Sequence, residues 1–240
     1  MTEVMSPQFW TGLMTIIWVN IILSGDNAVV IALAARSLPE RQQKQAVFWG
    51  AGAAVLMRIG LTIVAVELLR FPYLKLVGAV LLLWIAVKLL VPEDHGGDGI
   101  ESSSNLWSAI KTILIADLVM SLDNVIAVAA AAKGSMLLLI IGLAISIPLV
   151  VFGATMLMKL MERWPIIITI GAAILGWVAG EMGATDPAIA EWVNEHAAFL
   201  HWAAPAAGVV LVVAIGKWIA ARAKKEHKGV IDLASDETKA

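Results

Sequence analysis

The sequence contains no cysteine and few charged residues. The lack of cysteine excludes a disulfide scaffold and a thiolate metal site. Charged residues make up 15%, against about 25% in an ordinary soluble domain. The 17 basic and 19 acidic residues nearly cancel, so the balance does not indicate a nucleic-acid partner. Hydrophobic residues make up 60%, which excludes a disordered chain and predicts a polytopic membrane protein whose function lies in a few interior polar groups.

Seven stretches are apolar and long enough for membrane helices, which need about 20 residues each. We predict these spans at Phe9–Ala35, Ala46–Leu69, Tyr73–Val91, Trp107–Ala132, Met136–Leu157, Ile166–Met182 and Ala204–Ala221. Barrel strands are excluded because the stretches are apolar on every face and do not alternate. The sequence therefore predicts an all-α membrane protein, with residues 1–240 in one transmembrane domain. An amphipathic stretch is expected near Ile189–Phe199.

One polar pattern occurs twice, and Asp26 recurs as Asp123, 97 positions later. The matched pairs are Thr15 and Thr112, Asn20 and Asp117, Ser24 and Ser121, Asp26 and Asp123, and Asn27 and Asn124. A weaker echo matches Gly78 with Gly171. Three spans is an odd number, so the two copies must have opposite orientations, as in many transporters. The alternative is chance similarity in a low-diversity alphabet.

These repeats predict the organisation of the whole chain. It consists of repeat one (8–91), a polar loop (92–105), repeat two (106–183), a loop with the seventh helix (184–222) and a frayed, charged tail (223–240). Thirteen of the 17 basic residues fall on one side if the N-terminus lies outside. Because basic residues accumulate on the cytoplasmic side, we predict an outside N-terminus and a cytoplasmic C-terminus.

The polar residues of each copy fall at helical spacing. Asn20, Ser24 and Asn27 lie on one helix face, and Asp117, Ser121 and Asn124 repeat that face. Carboxylates inside a bilayer are costly unless they are paired, hydrated or protonated. In the first copy Gly25 would allow a local unwinding that turns Asp26 inward. The second copy has Leu122 at that position, so a break there is less supported.

If the two copies meet, they would enclose up to three carboxylates and three side-chain amides. Hard oxygen donors without soft ligands suit Mn²⁺, Mg²⁺ or Ca²⁺ better than Zn²⁺ or Cu⁺. The predicted metal ligands are Asp26, Asn27, Asp117, Asp123 and Asn124, with Asn20, Ser24, Ser121, Arg58 and Glu67 as secondary candidates. Three negative charges around a dication leave a surplus that a proton would neutralise, which is a route to proton-coupled antiport.

Other interpretations of these polar residues remain open. Asp and Asn side chains also hydrogen-bond membrane helices together without binding any metal. Arg58 lies inside span two and needs a partner, either one of the aspartates or Glu67. A structural ion pair is as compatible with its position as a gating role.

At these residues the chain resembles the TerC family of integral membrane proteins. The resemblance rests on Ser24–Val29, on Asp117–Val125 and on the seven-span layout over residues 8–222. The length and the short acidic third loop are most similar to the small YjbE-type branch. The resemblance implies a bacterial plasma-membrane metal transporter of the LysE superfamily type. It also implies Asp26, Asp117 and Asp123 as metal ligands, with Asn27 and Asn124 beside them. Several relatives carry an acid where this chain has Asn20.

The leading hypothesis is therefore a divalent-cation exporter. Its transported substrate would be Mn²⁺, and no organic cofactor is expected. A second hypothesis is export of an amino acid or other small solute, with Arg58 binding the carboxylate. A third is a non-transporting partner in metal delivery or tellurium resistance. An intramembrane aspartyl protease is disfavoured because no Gly-x-Gly-Asp motif is present, so no enzyme activity is expected. The expected partners are the metal ion and the lipid bilayer, with a homo-oligomer left open.

Overall fold

The computed structural model describes residues 7–23, 25–68, 71–91, 102–132 and 135–237, with side chains for most of them. These ranges contain nine α-helices and no strand, which confirms the predicted all-α class. The helices are α1 (Pro7–Leu23), α2 (Gly25–Ala35), α3 (Glu40–Leu68), α4 (Leu74–Leu90), α5 (Ser102–Ala132), α6 (Met136–Arg163), α7 (Ile166–Ala184), α8 (Ala190–His196) and α9 (Leu200–Glu237).

Four helical stretches in the described ranges are long and apolar enough to cross a membrane. They are Glu40–Thr62, Met136–Arg163, Ile166–Ala184 and Leu200–Arg222. The most apolar of them is α6, with a mean hydropathy of 2.7. Large apolar side chains point outward, and Leu56 and Phe152 are 71% and 70% exposed. An apolar exterior of this kind suits lipid better than water. The count of seven spans stays a prediction.

The first predicted span, Phe9–Ala35, covers α1 and α2. Helix α1 is described to Leu23 and α2 from Gly25, while residue 24 lies outside the described part. The unwinding expected at Gly25 therefore stays a prediction. The matching part of α5 continues through Leu122 without a break.

Two further features also differ from the sequence-based prediction. Helix α5 begins at Ser102, so residues 102–105 of the expected polar loop are helical. Residues 92–101 lie outside the described part. Within the expected frayed tail over 223–240, residues 223–237 are helical, because α9 continues to Glu237. Alanine, lysine and glutamate are frequent in this tail, and all three favour helix.

The helices of the two halves pack crosswise, which means that helices of the first half contact helices of the second half. Helix α1 packs mainly against α6, and α5 packs mainly against α3. A methyl group added at Gly50 of α3 would lie 2.9 Å from Cδ1 of Ile113 on α5. One added at Gly142 of α6 would collide with Cγ2 of Ile16 on α1. Each isoleucine therefore occupies the space above a glycine of the other half.

Helix α9 is held against α7 by close backbone contact. A methyl group at Gly176 would lie 2.6 Å from the carbonyl oxygen of Gly208, and one at Gly180 would collide with that of Ala204. Two glycines four residues apart are a common close-packing device between membrane helices. The α7–α9 contact therefore depends on the absence of side chains at these positions.

Candidate functional site

An arginine and an aspartate form a buried ion pair inside the helix bundle. Nη2 of Arg58 donates to Oδ1 of Asp117 at 2.6 Å, and its Nε donates to Oγ of Ser121 at 3.0 Å. The Ser121 hydroxyl in turn donates to Oδ2 of Asp117 at 3.1 Å. Arg58 is 4% exposed, Asp117 is 6% exposed and Ser121 is fully buried. The three side chains form one closed hydrogen-bond network.

The sequence accounts for the Asp117–Ser121 part of this network. Ser121 follows Asp117 by one helical turn on α5, so both side chains lie on the same face. Arg58 comes from α3, which packs against α5. An arginine cannot lose its proton in a protein, so its buried charge needs a carboxylate partner. Of the partners expected for Arg58, the structure shows Asp117.

Asp26 and Asn27 lie at the start of α2, beside this network. Oδ1 of Asp26 accepts a hydrogen bond from the backbone N–H of Asn27 at 2.8 Å. Asp26 is half-buried and interacts electrostatically with the Arg58 guanidinium and the Asp117 carboxylate. Asn27 is 4% exposed.

A small cavity lies beside these groups and is lined by Arg58, Asp117 and Asn27. It is partly open and has room for about one water molecule or an ion of similar size. Its polar lining comes from four helices: α2, α3, α5 and α6. The polar lining residues are Asn27, Arg58, Asp117 and Ser146, and the apolar ones are Ile31, Ala51, Ala54, Val55, Ile147 and Val150.

The cavity lies where two apolar clusters of the bundle meet. Ile31 and Ala51 belong to the larger cluster, built largely from α2, α4, α5 and α7. Val55 belongs to a smaller cluster contributed by α1, α3, α5 and α6. The polar site is therefore bordered by a separate apolar cluster on either side.

Comparison with known proteins decides the family. The sequence model of the integral membrane protein TerC family matches residues 5–224. The chain belongs to the TerC family. It is therefore an integral membrane protein, and the resemblance seen in the sequence is confirmed.

Three relatives show the extent of the match for this TerC-family chain. The uncharacterized membrane protein YjbE of Bacillus subtilis strain 168 is 43% identical over 192 residues, covering 80% of this chain and 88% of YjbE. The uncharacterized membrane protein YkoY of the same strain is 26% identical, covering 95% of this chain and 77% of YkoY. The UPF0053 inner membrane protein YoaE of Escherichia coli K12 is 30% identical, covering 52% of this chain and 28% of YoaE. No solved structure matches.

The cavity of this TerC-family chain is also lined by a serine that was not predicted from the sequence. Ser146 of α6 is 3% exposed and lines the cavity. Its hydroxyl donates to the carbonyl oxygen of Leu143 at 2.6 Å. The available signal was a serine two residues before Pro148, in the middle of the most apolar helix. A lone serine is inexpensive in a membrane helix, so it did not stand out.

The remaining predicted site residues fall into two groups. Asn124 is half-buried on α5 and is not among the described residues that line the cavity. The side chains of Asn20, Glu67 and Asp123 lie outside the described part, although their helices are described, and Ser24 lies outside it entirely. Within the described residues, no group of three or more His, Cys, Asp or Glu could hold a metal ion. The predicted meeting of three carboxylates thus depends on Asp123 and stays a prediction.

Asp186 is a buried acid of this TerC-family chain outside both polar copies. Its side chain accepts backbone N–H groups of Tyr73 at 2.9 Å, Leu76 at 3.1 Å and Ala188 at 2.8 Å. It therefore ties the loop after α7 to the start of α4, where Tyr73 has a φ of 68°. Burial opposes its charge, but the N–H donors of Ala188, Tyr73, Leu76 and Lys75 outweigh burial and lower the pKa of the Asp186 carboxyl. The sequence analysis gave this loop residue no role.

Proposed function

We propose that this chain is a divalent metal cation transporter that exports Mn²⁺ across the bacterial plasma membrane. The observation that carries the proposal is the buried Asp117–Arg58 pair, which lines a cavity inside an integral membrane protein. Ionisable side chains at membrane depth are costly and usually belong to substrate pathways. The carboxylate, amide and hydroxyl oxygens around the cavity are ligands that Mn²⁺ prefers.

The charges of the site favour a dication as cargo. If Asp123 lies at the site as the sequence predicts, Asp26, Asp117 and Asp123 contribute −3 and Arg58 contributes +1, so the sum is −2, equal and opposite to one divalent ion. Arg58 takes the place of the proton that the surplus negative charge would otherwise require. Arg58 neutralises Asp117, so an arriving cation would compete with its guanidinium for the carboxylate oxygens.

The proposal includes seven transmembrane spans built from two inverted repeats plus α9. The crosswise contacts support it, because Ile16 and Ile113 occupy matching positions 97 residues apart and each packs over a glycine of the other half. In transporters of this architecture the site lies between the repeats, and one repeat rocks against the other. Alternating access would therefore expose the cavity to the two sides in turn.

The proposed orientation has an outside N-terminus and a cytoplasmic C-terminus. Support comes from paired basic and tryptophan side chains at the C-terminal ends of α4 and α6 and of the apolar part of α9, all on the cytoplasmic side in this orientation. Such side chains favour the membrane–water interface. The pairs are Lys88 with Trp84 at 5.7 Å, Arg163 with Trp164 at 5.7 Å and Arg222 with Trp218 at 3.8 Å from charged group to ring centroid.

Export of an amino acid is a weaker candidate. Its carboxylate would need the Arg58 guanidinium, which already binds Asp117 and Ser121. The proposal contains no catalytic step and no organic cofactor, and it leaves the number of subunits open.

Transport by the purified protein in liposomes tests the proposal. With an internal Mn²⁺-sensitive dye, the wild-type protein should carry Mn²⁺ and respond to a membrane potential. Asp26→Asn should reduce the flux by about tenfold or more, because a costly intramembrane carboxylate at the site is lost. Glu181→Gln, at an exposed acid near the end of α7, should leave the flux unchanged. Wild-type flux equal to that of empty liposomes, or full flux in Asp26→Asn, would contradict the proposal.

A further inference from the structure

We infer that Oγ of Ser146 is a direct ligand of the transported cation and contributes to the choice of metal. This inference rests on the proposed function and adds a ligand from α6 that neither polar copy supplies. Ser146 lines the same cavity as Asn27 and Asp117 and is almost completely buried.

The hydroxyl of Ser146 already uses its proton within α6. Its proton is engaged by the Leu143 carbonyl oxygen at 2.6 Å, so the oxygen has only lone pairs to offer. A hydroxyl whose proton is already used cannot donate to an anion or a carboxylate. It can coordinate a positive ion, and a neutral hard oxygen is a ligand suited to Mn²⁺.

Other hydroxyl groups of the bundle provide the contrast. Thr62, Thr112 and Thr155 each donate to the carbonyl four residues earlier in their helix, at 2.7, 2.9 and 2.7 Å. This bonding pattern satisfies a hydroxyl within a membrane helix and needs no ligand. None of these described threonines lines the cavity. Ser146 is therefore distinguished from them by its position at the cavity.

With Ser146, the proposed ligands come from three helices. Asn27 belongs to α2, Asp117 to α5 and Ser146 to α6. Pro148 follows two residues later and removes one backbone hydrogen bond of α6, which commonly allows a helix to bend. A bend there would move the Ser146 oxygen towards or away from the cation without moving Asp117.

Replacing this oxygen by sulfur gives a sharp test, because the chain has no cysteine of its own. Ser146→Cys should weaken Mn²⁺ binding and strengthen Cd²⁺ binding, since a thiolate prefers the softer ion. The ratio of the two affinities should shift by about tenfold or more towards Cd²⁺. Mn²⁺ binding is measured by electron paramagnetic resonance in nanodiscs. Cd²⁺ binding is measured by the thiolate-to-metal absorption band.

Thr155→Cys is the matched control, because Thr155 lies on the same helix, is half-buried and does not line the cavity. It should keep the wild-type metal ratio and show no absorption band with Cd²⁺. An unchanged ratio in Ser146→Cys, or an equal shift in Thr155→Cys, would overturn the inference. Failure of the wild-type protein to bind any hard dication would instead overturn the proposed function, so the two failures are distinguishable.

Discussion

The two copies of the polar pattern share residues but differ in the hydrogen bonds that hold their carboxylates. In the first copy the half-buried Asp26 accepts a hydrogen bond from the backbone N–H of its neighbour Asn27. In the second copy Asp117 is buried in a network with Arg58 and Ser121. One copy thus holds a carboxylate through the backbone, and the other holds its carboxylate with an internal counter-ion.

Two sequence differences accompany this contrast. Gly25 stands where the second copy has Leu122, and glycine would permit a local unwinding of the helix that leucine resists. Asn20 stands where the second copy has Asp117, so only the second copy has an acid at this position to bind Arg58. Duplication has therefore supplied two similar sets of ligands whose local stability differs. The tests that follow alter one copy at a time.

The largest effect is expected from breaking the ion pair of the second copy. Arg58→Met leaves the Asp117 carboxylate buried without its cation, which should destabilise the protein by about 3–5 kcal/mol. Thermal unfolding in detergent measures the loss. The control is Lys111→Met, which removes an exposed base of α5, the helix that carries Asp117. It should unfold like the wild type.

Combining Arg58→Met with Asp117→Leu should recover most of this stability, because no buried charge remains. The double variant should still fail to transport Mn²⁺. Wild-type unfolding of Arg58→Met alone would show that the pair does not stabilise the second copy.

A smaller effect is expected from making the first copy resemble the second. An added methyl group at Gly25 meets no atom within 4 Å, so Gly25→Leu causes no clash at its Cβ. If the helix unwinds at Gly25 as the sequence predicts, leucine should oppose the unwinding and reduce Mn²⁺ flux about tenfold, equivalent to about 1.4 kcal/mol in the barrier. An added methyl group at Gly52 on α3 is equally free of contacts, and Gly52→Leu should keep its flux. Equal flux in both variants would mean that unwinding at Gly25 has no part in transport.

The smallest effect concerns an acid outside both copies. Asp186→Asn keeps an acceptor but loses the charge, which should cost about 1 kcal/mol in stability because charge-assisted hydrogen bonds are stronger. The Mn²⁺ concentration at half-maximal flux should not change.

The pH dependence of this loss has a definite sign. The pKa of Asp186 is lower in the folded protein than its ordinary value of 3.8. The stabilisation is therefore present above that value and is lost as pH falls through the folded pKa. Melting temperatures of wild type and Asp186→Asn should converge in this acidic range. A constant difference at every pH would refute this assignment.

Local patterns predicted much of the molecule. The apolar stretches predicted the helical class, and the helical spacing of Asp117 and Ser121 predicted that both side chains lie on one face of α5. The partner of Arg58 was not predictable, because it lies 59 positions away and several acids were equally available. Ser146 and Asp186 were missed for a related reason. The cavity and the backbone donors that define their roles come from distant parts of the chain.

The crosswise packing of α1 also bears on how the chain is assembled. Ile16 finds the space above Gly142 only after about 120 further residues have been synthesised, which takes roughly ten seconds at ordinary translation rates. During that interval the first helices lie in the bilayer without their main partner. Completion of the first half therefore depends on synthesis of the second, and truncation after α4 should leave both halves of the polar site unassembled.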